Sequence, residues 1–176
     1  QRFTNVKDAE TDGFDIEIVA SLMEDGVIDG DNLVLEFNYG EIDTKYNSPV
    51  DFNGDNVDDG SNPWNQTPDY SYFAALTYTH PAFDGGSMTY RTSYTYIDTV
   101  LGGGTNLDPI SFYQDQKLWD ATIKFVSSDS KWSAALFGKN LGDEEYMAFR
   151  TRFATSFGIG VPALGRTWGL TLGYEM

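Results

Sequence analysis

Apolar and polar residues alternate with a period of two in seven separate stretches of the chain, the pattern of strands that send successive side chains to opposite faces. In residues 13–23, Phe14, Ile16, Ile18, Ala20 and Leu22 share one face, with Asp15, Glu17 and Ser21 on the other. Residues 32–40 set Leu33, Leu35, Phe37 and Tyr39 against Glu36 and Asn38. Residues 70–80 set Tyr72, Ala74, Leu76 and Tyr78 against Ser71, Thr77 and Thr79. The cleanest alternation of the middle of the chain follows in residues 88–96, where Met88, Tyr90, Tyr94 and Tyr96 oppose Thr89, Arg91, Ser93 and Thr95. Residues 119–125, 132–136 and 168–176 complete the set. Seven such strands predict an all-β chain, built as a sandwich or as a barrel.

The links between strands distinguish these two architectures. They alternate between short, after Met23, His80 and Phe125, and long, at residues 47–69, 99–116 and 141–165. Short turns at one end and long loops at the other predict an antiparallel up-and-down transmembrane β-barrel segment, with periplasmic turns and extracellular loops. Tyr46, Tyr70, Tyr96, Trp119, Trp132, Trp168 and Tyr174 stand near strand ends, where a barrel places aromatic rings at the two membrane interfaces. Asp15, Glu17, Glu36, Arg91, Asp120, Lys124 and Glu175 fall on the opposite face. Water must reach them, because an unpaired buried charge is costly, and in a barrel that face lines a wet or plugged lumen.

Composition narrows the function more than the fold. Over 176 residues, 11 Lys and Arg against 27 Asp and Glu give a net charge of −16, which argues against nucleic acid as a partner. The chain has no Cys and a single His, His80, so thiolate nucleophiles, zinc knuckles, iron–sulfur clusters and multi-histidine metal sites are excluded. With no apolar run longer than five residues, no helix of this chain spans a membrane, a limit that leaves a barrel open.

Two stretches near the end of the chain carry a family pattern. Lys139-Asn140-Leu141-Gly142-Asp143-Glu144-Glu145-Tyr146 precedes Gly165-Arg166-Thr167-Trp168-Gly169-Leu170-Thr171-Leu172-Gly173-Tyr174-Glu175-Met176 by about twenty residues. The pair resembles the C-terminal end of TonB-dependent outer-membrane receptors, in which an N-L-x-D-E-x-Y segment tops the penultimate strand and a G-R-x-x-x-L-x-L-x-Y strand closes the barrel. Asn5-Val6-Lys7-Asp8-Ala9-Glu10-Thr11-Asp12-Gly13-Phe14-Asp15-Ile16-Glu17 is similar to the family's N-x-x-x-A-x-x-x-G-x-E-x-E strand, with Asp15 where Glu is commoner. The family usually ends in Phe, and here Met176 stands last. The resemblance implies a 22-stranded barrel with an N-terminal plug. Seven strands and no plug sequence therefore lead to the expectation that residues 1–176 are the C-terminal part of such a barrel, entered inside a strand at Gln1.

Candidate binding residues lie in the long loops. Asp51, Asn53, Asp55, Val57 (through its carbonyl) and Asp59 follow the first nine positions of a calcium loop, with Asn56 at the usual glycine and Asn62 at the twelfth position. The alternative is a solvated acidic loop. Trp64, in a polar setting, is suited to stacking on a sugar or aromatic ligand, and equally to anchoring at an interface. Arg150 and Arg152, beside Tyr146, Phe149 and Phe153, suit a carboxylate or phosphate ligand, or else pairing with Asp143, Glu144 and Glu145 to pin the loop. Gly102 to Gly104 lacks the strand–loop–helix context of a phosphate cradle. His80 beside Pro81 is an interfacial residue or, in the least favoured reading, part of an outer-membrane hydrolase for which no nucleophile is placed.

The expected function is TonB-dependent uptake of a siderophore, vitamin or glycan-type nutrient across the Gram-negative outer membrane. On that expectation the chain is not an enzyme and needs no cofactor, Ca²⁺ in the loop 51–59 apart. Its partners are outer-membrane lipid, the plug and other strands of the receptor, the TonB complex through that plug, and a small-molecule or glycan ligand. The rival reading is a secreted calcium-dependent β-sandwich that binds carbohydrate.

Overall fold

The computed structural model describes residues 8–51, 54, 56–102, 111–154 and 157–175, with residues 151–154 described as backbone only. Among them eleven strands run in chain order: β1 (Ala9–Glu24), β2 (Asn32–Tyr46), β3 (Tyr70–Ala82), β4 (Gly86–Ile97), β5 (Val100–Leu101), β6 (Phe112–Tyr113), β7 (Gln116–Val126), β8 (Trp132–Lys139), β9 (Met147–Ala154), β10 (Phe157–Pro162) and β11 (Thr167–Tyr174). The chain is all-β, with a single 3₁₀ turn at Phe83–Gly85 among the described elements. Strands β1, β2, β3, β4, β7, β8 and β11 form one seven-stranded antiparallel meander in that order, while β5–β6 and β9–β10 are separate hairpins inside the long connections.

All seven alternating stretches become the strands of the large sheet, and the period-two pattern decides which face each side chain occupies. Cross-strand partners share a face, so apolar rows run through the sheet. One joins Tyr78, Tyr90, Ile123, Leu136 and Leu170; another joins His80, Met88, Phe125, Ala134 and Leu172. The opposite face carries the row Val34, Thr77, Arg91, Thr122 and Phe137. There Arg91 grips Glu36 through two nitrogens at 2.9 and 2.8 Å and donates to Thr77 Oγ1 at 2.7 Å. A bulge at Leu22 corrects one assignment. The register passes from Ser21–Val34 to Met23–Leu33, so Met23 takes up the cross-strand position opposite apolar Leu33.

At the last strand pair, glycine and aromatic residues interlock. Gly138 pairs with Trp168 and Gly169 with Phe137. Each ring occupies the space above its partner glycine: a Cβ at Gly138 would meet the Trp168 ring at 2.7 Å and Leu141 at 2.6 Å. This fixes the register of β8 on β11 more tightly than backbone bonding alone.

The sheet is a single open layer. Among the described residues β1 pairs only with β2 and β11 only with β8, and no second sheet covers either face. Among the described residues the buried apolar side chains are Val50, Ala75 and Leu101. Leu170 and Leu172, by contrast, are 66% and 73% exposed. The accessible surface is 11789 Å², against about 8,600 Å² for a globular protein of this mass.

Candidate functional site: the sheet face and its loop platform

The three short links lie at one end of the meander and the three long connections at the other, because antiparallel neighbours alternate direction. Between these ends the apolar face is bounded by aromatic rings. At the long-loop end, Tyr39, Tyr70, Tyr96, Tyr72 and Tyr94 form a continuous row with successive ring centroids 6.4, 5.3, 5.1 and 6.1 Å apart. At the short-turn end, His80 lies between Tyr78 and Tyr90 at 5.5 and 5.8 Å, and Trp132 packs on Tyr174 at 4.5 Å.

The hydroxyls of these tyrosines reach away from the apolar band. Tyr39 donates to Glu41 at 2.6 Å, Tyr70 to Tyr96 at 3.3 Å, and Tyr96 to Asp98 at 3.3 Å. At the other end Tyr78 donates to Asp31 at 2.9 Å. A ring in an apolar zone with its hydroxyl in a polar one is the arrangement aromatic side chains adopt at membrane interfaces. Tyr70 and His80 are ten residues apart in β3, which is about 34 Å along the strand and about 26 Å along a barrel axis at a tilt of about 40°.

Asp31 organises the first short turn. It accepts N–H groups from Gly26 at 2.8 Å and from Val27 and Ile28 at 3.0 Å, besides the Tyr78 hydroxyl. Burial pushes its carboxyl up, but the donors from Gly26, Ile28, Tyr78 and Val27 outweigh that and hold it below the ordinary Asp value. Nothing in the sequence marks it among five other acidic residues of the turns, since its partner Tyr78 comes from a third strand.

The long connections interlock through the small β5–β6 hairpin. Asn65 bridges Leu101, and Gln66 N–H donates to Leu101 O at 2.7 Å. Leu101 pairs with Phe112. Tyr113 then takes hold of β9: its hydroxyl donates to Arg150 O at 3.0 Å and accepts the Arg150 N–H at 2.8 Å, while Arg150 Nη1 donates to Phe112 O at 3.1 Å. Val50 and Leu101 are the apolar centre of this platform.

Between the β9–β10 root and the turn after β8 lies a cleft of about 490 Å³ lined by Tyr113, Glu144, Glu145, Tyr146, Arg150 and Ala163, among others. The turn is built by Asn140, whose amide oxygen accepts Glu144 N–H at 2.8 Å and whose amide nitrogen donates to Glu144 O at 2.9 Å. Asp143 accepts Arg166 N–H at 3.0 Å and pairs with the Arg166 guanidinium at 3.2 Å. The conspicuous N-L-G-D-E segment and the Gly-Arg before β11 thus brace one another.

Of the residues singled out in the sequence, Asn53 and Asp55 lie outside the described residues, as do Met176 and residues 1–7. Asp51 accepts N–H groups from Gly54 and Asn56, and Asp59 accepts the Asn62 amide at 3.2 Å. Neighbouring Asp58 accepts from Val50 and Gly60, both at 2.9 Å, and these donors hold its carboxyl below the ordinary value. No group of three or more His, Asp or Glu side chains converges on a metal position among the described residues. Val57 is exposed, and Trp64 packs on Tyr46 at 5.4 Å with its indole N–H buried and lacking an acceptor among the described residues. Tyr46 therefore belongs to the loop platform, not to the aromatic boundary of the apolar face. Arg150 lines the cleft; Arg152 is described only as backbone, opposite Gly158. Asp143 is paired by Arg166 and not by Arg150. Comparison with protein families, with curated proteins and with solved structures returns no match.

Proposed function

We propose that this chain forms the wall and outer loops of a transmembrane β-barrel in the Gram-negative outer membrane, as the C-terminal part of a TonB-dependent receptor for a scarce nutrient. The observation that carries the reading is the one-layer meander with a continuous apolar face bounded at both ends by tyrosines whose hydroxyls turn toward polar groups. The polar face, with its Arg91–Glu36 and Lys139–Asp120 pairs, would then look into the lumen. The long-loop platform would meet ligand outside the cell. The receptor assignment rests on the paired motifs at residues 139–146 and 165–176, and energy coupling would belong to the plug.

The test is the native polypeptide itself, recovered from its source cells and fractionated. Extraction only by detergent, with a mass several times the 19.6 kDa of this chain, is the expected result. A water-soluble species of this mass refutes the barrel and favours the secreted calcium-dependent sandwich.

A further inference from the structure

In the tyrosine row at the long-loop end, Tyr70 and Tyr96 meet at their hydroxyl ends. Their rings stack with centroids 5.3 Å apart and planes 18° from parallel, and the Tyr70 hydroxyl donates to the Tyr96 hydroxyl at 3.3 Å. Tyr96 in turn donates to Asp98 Oδ1 at 3.3 Å, and Thr99 N–H holds that same oxygen at 2.8 Å. Two phenols thus form one hydrogen-bonded chain that ends on a carboxylate, and both rings are only half-buried. Their neighbours are arranged differently. Tyr72 lies 5.1 Å from Tyr96 but face to face, at 11°, while Tyr39–Tyr70, Tyr72–Tyr94 and Tyr78–Tyr90 are 6.4, 6.1 and 6.4 Å apart. The chain has no Cys, so it lacks the thiol that oxidants ordinarily attack first.

We propose that Tyr70 and Tyr96 are an oxidative modification site, at which peroxyl radicals join β3 to β4 through a dityrosine bond. Each of two peroxyl radicals takes one electron from one phenol, Tyr96 first, because its proton has the Asp98 carboxylate to move to. The two phenol protons end on the two peroxide anions and complete two hydroperoxides. The phenoxyls then couple at ring carbons beside their oxygens: one C–C bond forms, and the hydrogens displaced from those carbons return to the oxygens as phenol protons. Two tyrosines and two peroxyl radicals therefore give one dityrosine and two hydroperoxides. Unpaired spin in a phenoxyl resides on the carbons beside the oxygen, and the meeting of hydroxyls brings these ring edges together in Tyr70 and Tyr96, whereas Tyr72 offers Tyr96 its face. In a chain that no disulfide staples, the bond ties the first residue of β3 to the end of β4 beneath the long connections. The site stands on the sheet alone and goes beyond the receptor reading, under which the bilayer is one source of peroxyl radicals.

Full-length folded protein, in the detergent or buffer that keeps it folded, is exposed to peroxyl radicals from a water-soluble azo initiator decomposing in air. The expected product shows dityrosine fluorescence and an intramolecular cross-link between tryptic peptides 46–91 and 92–117, placed at Tyr70 and Tyr96 by fragmentation. Tyr96→Phe keeps the ring stack, so it should leave the melting temperature unchanged and lose the cross-link. Asp98→Asn keeps the acceptor oxygen but not the base and should slow the reaction, whereas Tyr94→Phe should react as wild type does. No cross-link, a yield as high between Tyr72 and Tyr96, an unchanged rate in Asp98→Asn, or an equal yield from urea-unfolded protein overturns the proposal. Detergent dependence reports separately on the barrel, so loss of one reading is distinguishable from loss of the other.

Discussion

Replacing Leu170 with arginine separates a lipid-facing sheet from a water-facing one by the size of the effect. Leu170 sits in the interior of β11 opposite Leu136, between the rings of Trp168 and Tyr174, and is 66% exposed. In water, exchanging so exposed a leucine for arginine changes stability by about 0.5 kcal/mol at most, and improves solubility. In a bilayer, arginine on the lipid face costs about 2 to 4 kcal/mol near the midplane, which lowers the folding equilibrium about 30- to 700-fold. Thr171, the next residue, points to the opposite face and pairs with Ala135; Thr171→Arg should cost less than about 1 kcal/mol in either setting. The assay is urea-dependent folding of the full-length polypeptide into short-chain phosphatidylcholine vesicles, followed by tryptophan fluorescence and by protease protection. The expected order is wild type close to Thr171→Arg, with Leu170→Arg far below both. Equal damage at the two positions, or none at either, refutes the facing derived from strand parity.

Three further outcomes follow from individual contacts. Asp31 titrates below its unfolded counterpart, so its contribution is complete above the unfolded pKa and is lost as pH falls through the folded one. Asp31→Asn should therefore lie below wild type in thermal stability at neutral pH, with the gap closing as pH drops below about 4; a gap that persists in strong acid refutes this. Gly138→Val drives a side chain into Trp168 and Leu141 and should cost about 1 to 3 kcal/mol, seen as faster exchange of the β8–β11 amides, whereas Gly142→Ala, with open space around it, should be silent. In a double-mutant cycle the half-exposed Arg91–Glu36 pair should show a coupling of about 1 kcal/mol or less if water reaches the polar face; a coupling of several kcal/mol means that face is dry.

The seven strands of the sheet were legible because each keeps one face apolar for four or more residues, and parity then determined most cross-strand rows. The β9–β10 hairpin was not read as strands although Met147 and Phe149 alternate with Ala148 and Arg150. Its return strand alternates Ile159 and Val161 with glycines and ends at Pro162, residues that suppress the strand signal. β5 and β6 are two residues each, too short to show a period. Tyr46 was grouped with the interfacial rings by its nearness to a strand end, but its even number puts it across the sheet from Tyr39, where Trp64 covers it. The cleft was half visible: Arg150 and Tyr146 stood out in the last loop, whereas Tyr113, which holds Arg150 in place, lies 37 residues away and meets it only in the folded chain.

The surface itself argues for what covers the sheet. The excess of accessible area over a globular protein of equal mass is about 3,000 Å², more than the 1,200 to 2,000 Å² that a standard protein–protein contact removes from both partners together. A dimer of ordinary size therefore leaves apolar rows in water. Among the described residues the outer edges of β1 and β11, strands of 16 and 8 residues, present unpaired N–H and C=O groups, which proteins pair, cover or blunt with charge. The barrel proposed above would answer both, with lipid over the face bounded by tyrosines and neighbouring strands at the sheet edges.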